Sequence, residues 1–340
     1  SGLAQILLKE HFTVSGSDNK ETPLTRQLEE KGARIFYGQK ASNIIEGIDV
    51  VVYTAAIHED NEEYQAAVQK GLPLLSRAEL LGQLMANYKI PIAVAGTHGK
   101  TTTTSMLSQI LLAGDLDPTI SVGGILPSIG GNIRVGDSDL FVTEACEYTN
   151  SFLHFLPKIS IILNIDADHL DFFKDLDDIR SSFRRFAQLL PSDGALIING
   201  NIPDLEGFTE GLPCRVISYG MDSSFDYAAV NLSYGTDGAV SFDFIKEGIF
   251  VDRISLSVNG EHNVQNALAS LAVADLLHLP LEVSKQGLKD FKGTDRRFQH
   301  KGEFQGVTVI DDYAHHPTEI KATLEAAAHY PHRQLWCVFQ

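Results

Sequence analysis

The sequence predicts an α/β protein in which parallel strands alternate with crossover helices, divided into more than one domain. Three observations predict it. Short β-rich apolar runs alternate with amphipathic helical segments along the chain. One run, residues 90–95, leads through a glycine turn and a Lys-Thr pair straight into a helical segment. With 340 residues and 44% hydrophobic side chains, the chain can bury two or three cores at about 100–200 residues per domain.

The first domain is expected over residues 1–89. Residues 3–10 read as a helix and 12–17 as a short strand ending in Gly16-Ser17-Asp18. Residues 22–31 form a second predicted helix, with Thr22 as N-cap and Gly32 as the stop. Residues 33–37 and 50–55 are β-rich, and 77–87 form a helical connector. The chain opens directly on a helix, so the strand and glycine turn that begin such a domain are expected to precede Ser1.

The second domain, residues 90–293, is expected to carry strands at 90–95, 140–144, 159–165 and 195–199. Residues 215–258 turn β-rich, with Thr236-Asp237-Gly238 as the clearest turn, and a helix follows over 264–277. The third, residues 294–340, opens at 297–301 and continues with a strand at 307–310 and a helix at 318–328. Residues 334–339 read as a buried strand at which the chain breaks off. So small a piece is expected to bury no core of its own and to dock loosely.

Composition excludes several classes. The 27 Lys and Arg against 44 Asp and Glu give a formal charge of −17, which repels nucleic acid on average. No apolar run reaches the ~18 residues of a membrane helix, and the N-terminus lacks the pattern of a signal peptide. Cys146, Cys214 and Cys337 are few and widely spaced, which suits ordinary buried, reduced thiols in a cytoplasm.

The chemistry concentrates in a few clusters. Gly96-Thr97-His98-Gly99-Lys100-Thr101-Thr102 lies between a strand and a helix with Met106, Leu107, Ile110 and Leu111 on one face. Glycines let backbone N–H groups curl round an anion, the helix N-terminus favours negative charge, Lys100 neutralises it, and the Thr101 hydroxyl can reach Mg²⁺. A standard Walker loop would have glycine at position 94, where this chain has Val94.

Two later strands end in acids, Glu144-Ala145-Cys146-Glu147 and Asp166-Ala167-Asp168-His169. In an open α/β sheet, ligands sit beyond the carboxyl ends of strands. Glu144 suits a hard cation, and His169 is an unusual Mg²⁺ ligand. Residues 166–171 also suit an acidic helix start, and Glu147 reads as a solvated loop acid. His262, Asn263 and Asn266, at the start of the helix predicted from 264, suit a base edge or a capped turn. Arg296-Arg297 suits a phosphate or the surface. Asp312, Tyr313, His315 and His316 suit phosphate or substrate better than zinc, since neighbouring residues cannot share a helix face.

Together these segments resemble the Mur ligase family. The resemblance rests on GTHGKTTTT (96–104), EACEYTNSFL (144–153), NIDADHLDFF (164–173), NGEHNVQNALA (259–269), GTDRRFQ (293–299) and DDYAHHPTEI (311–320), in the family's order and across the whole chain. Loops of the GTxGKT form are themselves typical of the family, and YAHHPTE is most suggestive of its alanine-adding branch.

The resemblance implies a Rossmann-like N-terminal domain, a central P-loop ATPase-like domain and a partial Rossmann-like C-terminal domain. It implies ATP and Mg²⁺ as cofactors, and UDP-N-acetylmuramate and L-alanine as the partners joined through an acyl phosphate. Gly96 to Thr102, His262, Asn263, Asn266, Arg297, Asp312 and Tyr313 would meet ATP. Thr101, Glu144 and His169 would hold metal. Lys100, His315 and His316 would serve catalysis, and Ser17, Asp18, Thr54 and Ala55 would meet the UDP-sugar. The family's carbamylated lysine has no assignable counterpart: Lys174 is too near the DADH segment, and Arg184 and Arg185 are not lysines. These 340 residues by themselves are expected to form no amide bond, since the sites for both substrates are incomplete. The competing expectations are a peptide-recycling ligase of the same family, a P-loop ATPase or kinase that makes no amide, and a non-catalytic UDP-sugar-binding module.

Overall fold

The computed structural model describes residues 2–54 and 56–339, so Ala55, expected at the UDP-sugar, lies outside the described residues. The chain forms two compact units. One runs up to Asn87 and includes His154–Leu156; the other holds Tyr88–Leu153 and everything from Pro157 on, including the segment after 293.

The first unit opens with α1 (Gly2–Lys9), which buries Leu3 and Ile6. The expected strand at 12–17 starts later, as β1 (Ser15–Asp18). The reason is the helix end: Phe12 N donates to Leu7 O and His11 N to Leu8 O, with His11 left-handed at φ 64°. That C-terminal turn consumes the backbone before a strand can begin. Next come α2 (Pro23–Glu30) and β2 (Arg34–Tyr37), with β1 and β2 parallel. Thr22 caps α2 as expected, accepting from Thr25 N at 3.1 Å while its own N donates to Thr25 Oγ1 at 2.9 Å. The rest is β3 (Val51–Tyr53), α3 (Glu62–Gln69), β4 (Leu74–Ser76) and α4 (Arg77–Met85), with β3 and β4 parallel.

The second unit is built, among the described residues, on one ten-stranded sheet. Its elements begin with β5 (Ile90–Ala95), α5 (Lys100–Ala113), β6 (Thr119–Leu126), β7 (Gly131–Arg134), β8 (Leu140–Ala145) and β9 (Ile159–Ile162). They continue with α6 (Leu176–Ala187), β10 (Ala195–Asn199), α7 (Leu205–Thr209), β11 (Arg215–Gly220), β12 (Tyr227–Tyr234), β13 (Ala239–Lys246) and β14 (Ile249–Asn259). Helices α8 (Glu261–Leu276) and α9 (Leu281–Asp290) follow. A separate hairpin, β15 (Gln299–Phe304) with β16 (Val307–Asp311), precedes α10 (Pro317–Ala328).

The sheet order is β14-β13-β12-β11-β10-β9-β5-β8-β6-β7, so β5 has β9 on one side and β8 on the other, both parallel to it. That reversal of strand order opens a crevice at the carboxyl edge. Covered on both faces, β5 is apolar throughout, and Ile92 to Ala95 are fully buried. Met106, Leu107, Ile110 and Leu111 of α5 are likewise fully buried in the main core.

Three expectations change here. The strand expected to reach 165 stops at Ile162, freeing residues 163–169 to turn over the crevice. The helix expected from 264 begins at Glu261, because Gly260 (φ 93°) supplies the turn that starts it. Residues 334–339 form no strand, and Trp336 and Val338 are 77% and 94% exposed. An apolar run without a neighbouring strand to share hydrogen bonds, as here among the described residues, has no ladder to join.

Candidate functional site

The site grows from the turn between β5 and α5. Gly96 has φ 149°, and a Cβ there would fall 2.8 Å from the Leu163 Cβ. Gly99, at φ 85°, is the N-cap of α5, and a Cβ would press on the Asn266 side-chain oxygen at 3.0 Å. Both positions therefore need glycine, and the loop they shape presents a helix N-terminus to the crevice. Asn164 fastens the loop to the chain after β9: its Oδ1 accepts from His98 N at 2.8 Å and its Nδ2 donates to His98 O at 3.0 Å. Thr97 Oγ1 accepts from Asp166 N at 2.9 Å.

Lys100 folds back over this loop. Its Nζ donates to Gly96 O at 2.6 Å and Thr97 O at 3.1 Å, and pairs with Glu147 Oε2 at 2.9 Å. Glu147 is only 1% exposed, which corrects the expectation of a solvated acid. A buried carboxylate needs a partner, and Lys100 is that partner. Cys146 beside it and Cys337 are exposed and Cys214 half-buried, so the buried-thiol expectation fails for the first two.

Glu144, at the end of β8, meets Thr101, whose Oγ1 donates at 3.1 Å; the backbone N–H of Gly123 also donates to Glu144. Burial raises the Glu144 pKa, opposed by the Gly123 N–H, the Thr101 hydroxyl, Lys100 and Arg297. A hydroxyl and a carboxylate side by side are hard oxygen donors, the set that Mg²⁺ takes together with water and phosphate. His169 is left-handed at φ 53°, rests on Tyr148 with rings 4.6 Å apart, and reaches Glu147 Oε1 at 3.9 Å. Among the described residues no group of three or more His, Cys, Asp or Glu side chains is arranged to hold a metal by itself.

Beyond the loop lies a cavity of about 610 Å³. His98, Gly99 and Thr102 line it from the loop, His262, Asn263 and Asn266 from α8, and Arg297 and Asp312 from the segment after 293. Burial lowers the His262 pKa. Asn263 Nδ2 donates to Asn259 O at 2.7 Å, and Asn266 Nδ2 to Asn263 Oδ1 at 3.1 Å, so the α8 amides hold one another in place. Asp312 braces its own hairpin, accepting from Phe298 N at 2.7 Å and Ala314 N at 2.8 Å. Tyr313 stays exposed beneath the guanidinium groups of Arg296 and Arg297, 4.7 and 5.3 Å from the ring centre.

His98 is clamped from two sides. Nε2 faces Asp166 Oδ2 and Nδ1 faces Glu319 Oε1, each at 3.3 Å. Burial works to lower the His98 pKa, but the two carboxylates outweigh it and raise it to about 9. Burial works to raise the Glu319 pKa, yet His98 and the N–H groups of His315 and His316 bring it to about 2. His316 caps α10, accepting from Thr318 N at 3.3 Å, lies with its ring tilted 36° to that of His98 at 4.5 Å, and bonds Ala167 O at 3.2 Å through Nε2. His315 is exposed, its Nδ1 3.0 Å from Tyr313 O.

In the first unit, Ser17 Oγ donates to Glu63 Oε2 at 2.6 Å, and Asp18 and Thr54 lie at the carboxyl ends of β1 and β3. Sequence reasoning missed Glu147, Asn164, Asp166 and Glu319 as site residues. Glu147 and Asp166 were legible only as acids at strand ends, and Glu319 only through its capping-box spacing from His316.

The chain belongs to the Mur ligase family, a family of ATP-dependent ligases. The family's middle-domain model matches residues 94–274, its catalytic-domain model 1–89, and its glutamate ligase domain model 296–340. Among similar proteins, the UDP-N-acetylmuramate--L-alanine ligase of Agathobacter rectalis is 59% identical over 340 residues, all of this chain and 74% of that protein. The enzyme of the same name from Lachnospira eligens is 57% identical over all of this chain and 74% of its own length. The crystal structure of UDP-N-acetylmuramate-alanine ligase from Thermotoga maritima superimposes with a TM-score of 0.82 at 30% identity, over 96% of this chain and 74% of that one. A UDP-N-acetylmuramate:L-alanyl-γ-D-glutamyl-meso-diaminopimelate ligase from Neisseria meningitides gives 0.78 at 30% identity, over 87% of this chain and 95% of that one. No helix among the described residues is long and apolar enough to cross a membrane.

Proposed function

We propose that the function this chain serves is ATP-dependent amide formation between the carboxylate of UDP-N-acetylmuramate and the amine of L-alanine, in peptidoglycan precursor synthesis. The observation that carries the reading is the arrangement at the β5 edge: a glycine-shaped loop holding Lys100 and the Thr101–Glu144 pair, beside a cavity lined by His98, Gly99 and Thr102 of that loop and by Arg297. The 57–59% identity to two enzymes of that name supports the choice of substrates. We assign residues 1–89 to the UDP-sugar, with Ser17, Asp18, Thr54 and Ala55 at its site. Residues 90–293 take ATP, and 294–340 begin the domain for the incoming amino acid.

A free carboxylate is a poor electrophile, so the reaction runs in two steps. A carboxylate oxygen attacks the γ-phosphorus of ATP, the bond to the β-phosphate oxygen breaks, and ADP leaves. The amine then attacks the acyl carbon, loses a proton, and expels phosphate. The N–H groups of residues 99–101 hold phosphate oxygens, and Lys100 leaves Glu147 and Gly96 to meet the charge that spreads over them. Gly96, Thr97 and His98 keep the loop open, Thr102 borders the cavity, and His262, Asn263 and Asn266 take the base. Arg297, Asp312 and Tyr313 would approach ATP from the segment after 293, with His315 and His316 near the reacting groups. Thr101 and Glu144, with His169 nearby, would hold Mg²⁺, which neutralises phosphate charge when bound.

The test is phosphate release and product mass with ATP, Mg²⁺ and UDP-N-acetylmuramate, comparing L-alanine, glycine, L-serine and the recycling tripeptide. Preference for L-alanine is expected. Preference for the tripeptide would point to the recycling ligase, and ADP formation independent of any amine would point to a simple ATPase.

A further inference from the structure

Glu319 touches neither the loop glycines nor the Thr101–Glu144 pair, yet its carboxylate is only 13% exposed and both of its oxygens are occupied. Oε1 faces His98 Nδ1 at 3.3 Å and Arg297 Nη1 at 3.8 Å. Oε2 accepts from His315 N at 3.2 Å and His316 N at 3.4 Å, completing the capping box of α10. The last two bonds are local to the helix start. The first two are not: they join the phosphate loop, the strand-turn that carries Arg297, and α10 at one point.

We propose that Glu319 is a positioning residue for nucleotide binding, holding His98 of the phosphate loop and Arg297 of the following segment together so that the loop and α10 respond to the nucleotide as one body. This rests on the reading that the loop takes the phosphates of ATP. The groups facing His98 are Asp166 on its far edge, Glu319, and the His316 ring at 4.5 Å; those facing Glu319 are His98, Arg297 and His315, the last at 3.5 Å. His316 caps the helix through one ring nitrogen and meets Ala167 O through the other, so it does not replace Glu319 as partner to His98. With Glu319 uncharged, His98 keeps a carboxylate on one edge only and Arg297 loses its brace. A charge-assisted pair in a nearly dry site is worth more than its surface equivalent.

The experiment uses the 340-residue chain with a non-hydrolysable Mg²⁺–ATP analogue. Glu319→Gln keeps acceptors for the His315 and His316 N–H groups but removes the charge; Glu319→Asp keeps the charge; His98→Asn removes the partner. Calorimetry should find Glu319→Gln binding about tenfold weaker, within the usual span of couplings between sites, with Glu319→Asp recovering part of the loss. Glu319→Gln with His98→Asn should bind no worse than the weaker single variant. In the wild type the analogue should slow amide exchange across Pro317–Ala328, and in Glu319→Gln at saturating analogue that slowing should vanish. Wild-type affinity in Glu319→Gln, or unchanged nucleotide-dependent protection of α10 with only a lower Tm, would overturn the proposal and leave Glu319 a helix cap. Failure of the wild-type chain to bind the analogue at all would overturn the ATP reading and this inference together.

Discussion

Lys100 and His98 lie on the same loop, and each is paired with a carboxylate largely withdrawn from water, but the two carboxylates come from different kinds of place. Glu147 follows β8, which runs beside β5 in parallel register with Ala95 opposite Ala145. Its position is fixed by the middle of the sheet. Glu319 stands on the first turn of a helix whose neighbouring hairpin leaves Phe304, Val307 and Val309 exposed at 70%, 58% and 48%. The loose docking expected of this segment fits poorly with its ion pair to the loop and with the burial of Ala326 and Ala327. One side of the loop is thus anchored by sheet geometry and the other by a few charged contacts. Substitutions should separate the two, with failure of chemistry on the first side and failure of coupling on the second.

The largest effect is expected at Lys100. Lys100→Ala should lower ATP-dependent phosphate release by about 10²–10³-fold, the scale of losing one group that stabilises developing charge. It should also lower stability, by up to about 3 kcal/mol, because Glu147 is left buried without its partner. The double variant Lys100→Ala with Glu147→Gln should recover the Tm without recovering turnover. Recovery of both would mean that Lys100 serves the fold alone.

A smaller loss is expected next door. Glu144→Gln keeps the size of the side chain and a hydrogen-bond acceptor for Thr101 and the Gly123 N–H. The Mg²⁺ concentration for half-maximal phosphate release should rise more than about tenfold, the scale on which ligand-shell changes act, with little change in Tm. An unchanged Mg²⁺ dependence would remove Glu144 from the metal site.

How much of this could be read beforehand follows the same division. The loop was legible because strand, glycines, Lys-Thr and helix are contiguous, and each has a local physical reason. Residues 90–95 and 195–199 were legible as strands because interior parallel strands are apolar without interruption. Strand β6 and helix α9 were not anticipated: Gly123 and Gly124 break the apolar run of the first, and the second is short and starts after Pro280 without a side-chain cap. Glu147 could not be told from a loop acid, since only the register of β5 against β8 carries it under Lys100. Glu319 takes the capping-box position of α10, but its partner His98 lies far away in sequence, and no local pattern encodes that meeting.

The smallest expected effect is on the pH dependence of stability, and its sign follows from the two shifts. His98 is raised from 6.5 to about 9, so its contribution is complete below pH 6.5 and is lost as the pH rises through about 9. Glu319 is lowered from 4.5 to about 2, so its contribution is present above pH 4.5 and is lost as the pH falls through about 2. The pair therefore stabilises fully between those inner limits, and its alkaline loss falls in a range where most carboxylates no longer titrate. Calorimetric melting from pH 6.5 to 9.5 should show the wild-type Tm declining more steeply than that of Glu319→Gln, whose remaining His98–Asp166 pair holds less of the charge. His98→Asn should flatten the decline further, since the titrating ring is gone. The Lys100–Glu147 side offers the control: Glu147→Gln should change the Tm itself but leave the slope over that range as in the wild type. Equal slopes in all four proteins would show that His98 does not carry its charge between Asp166 and Glu319.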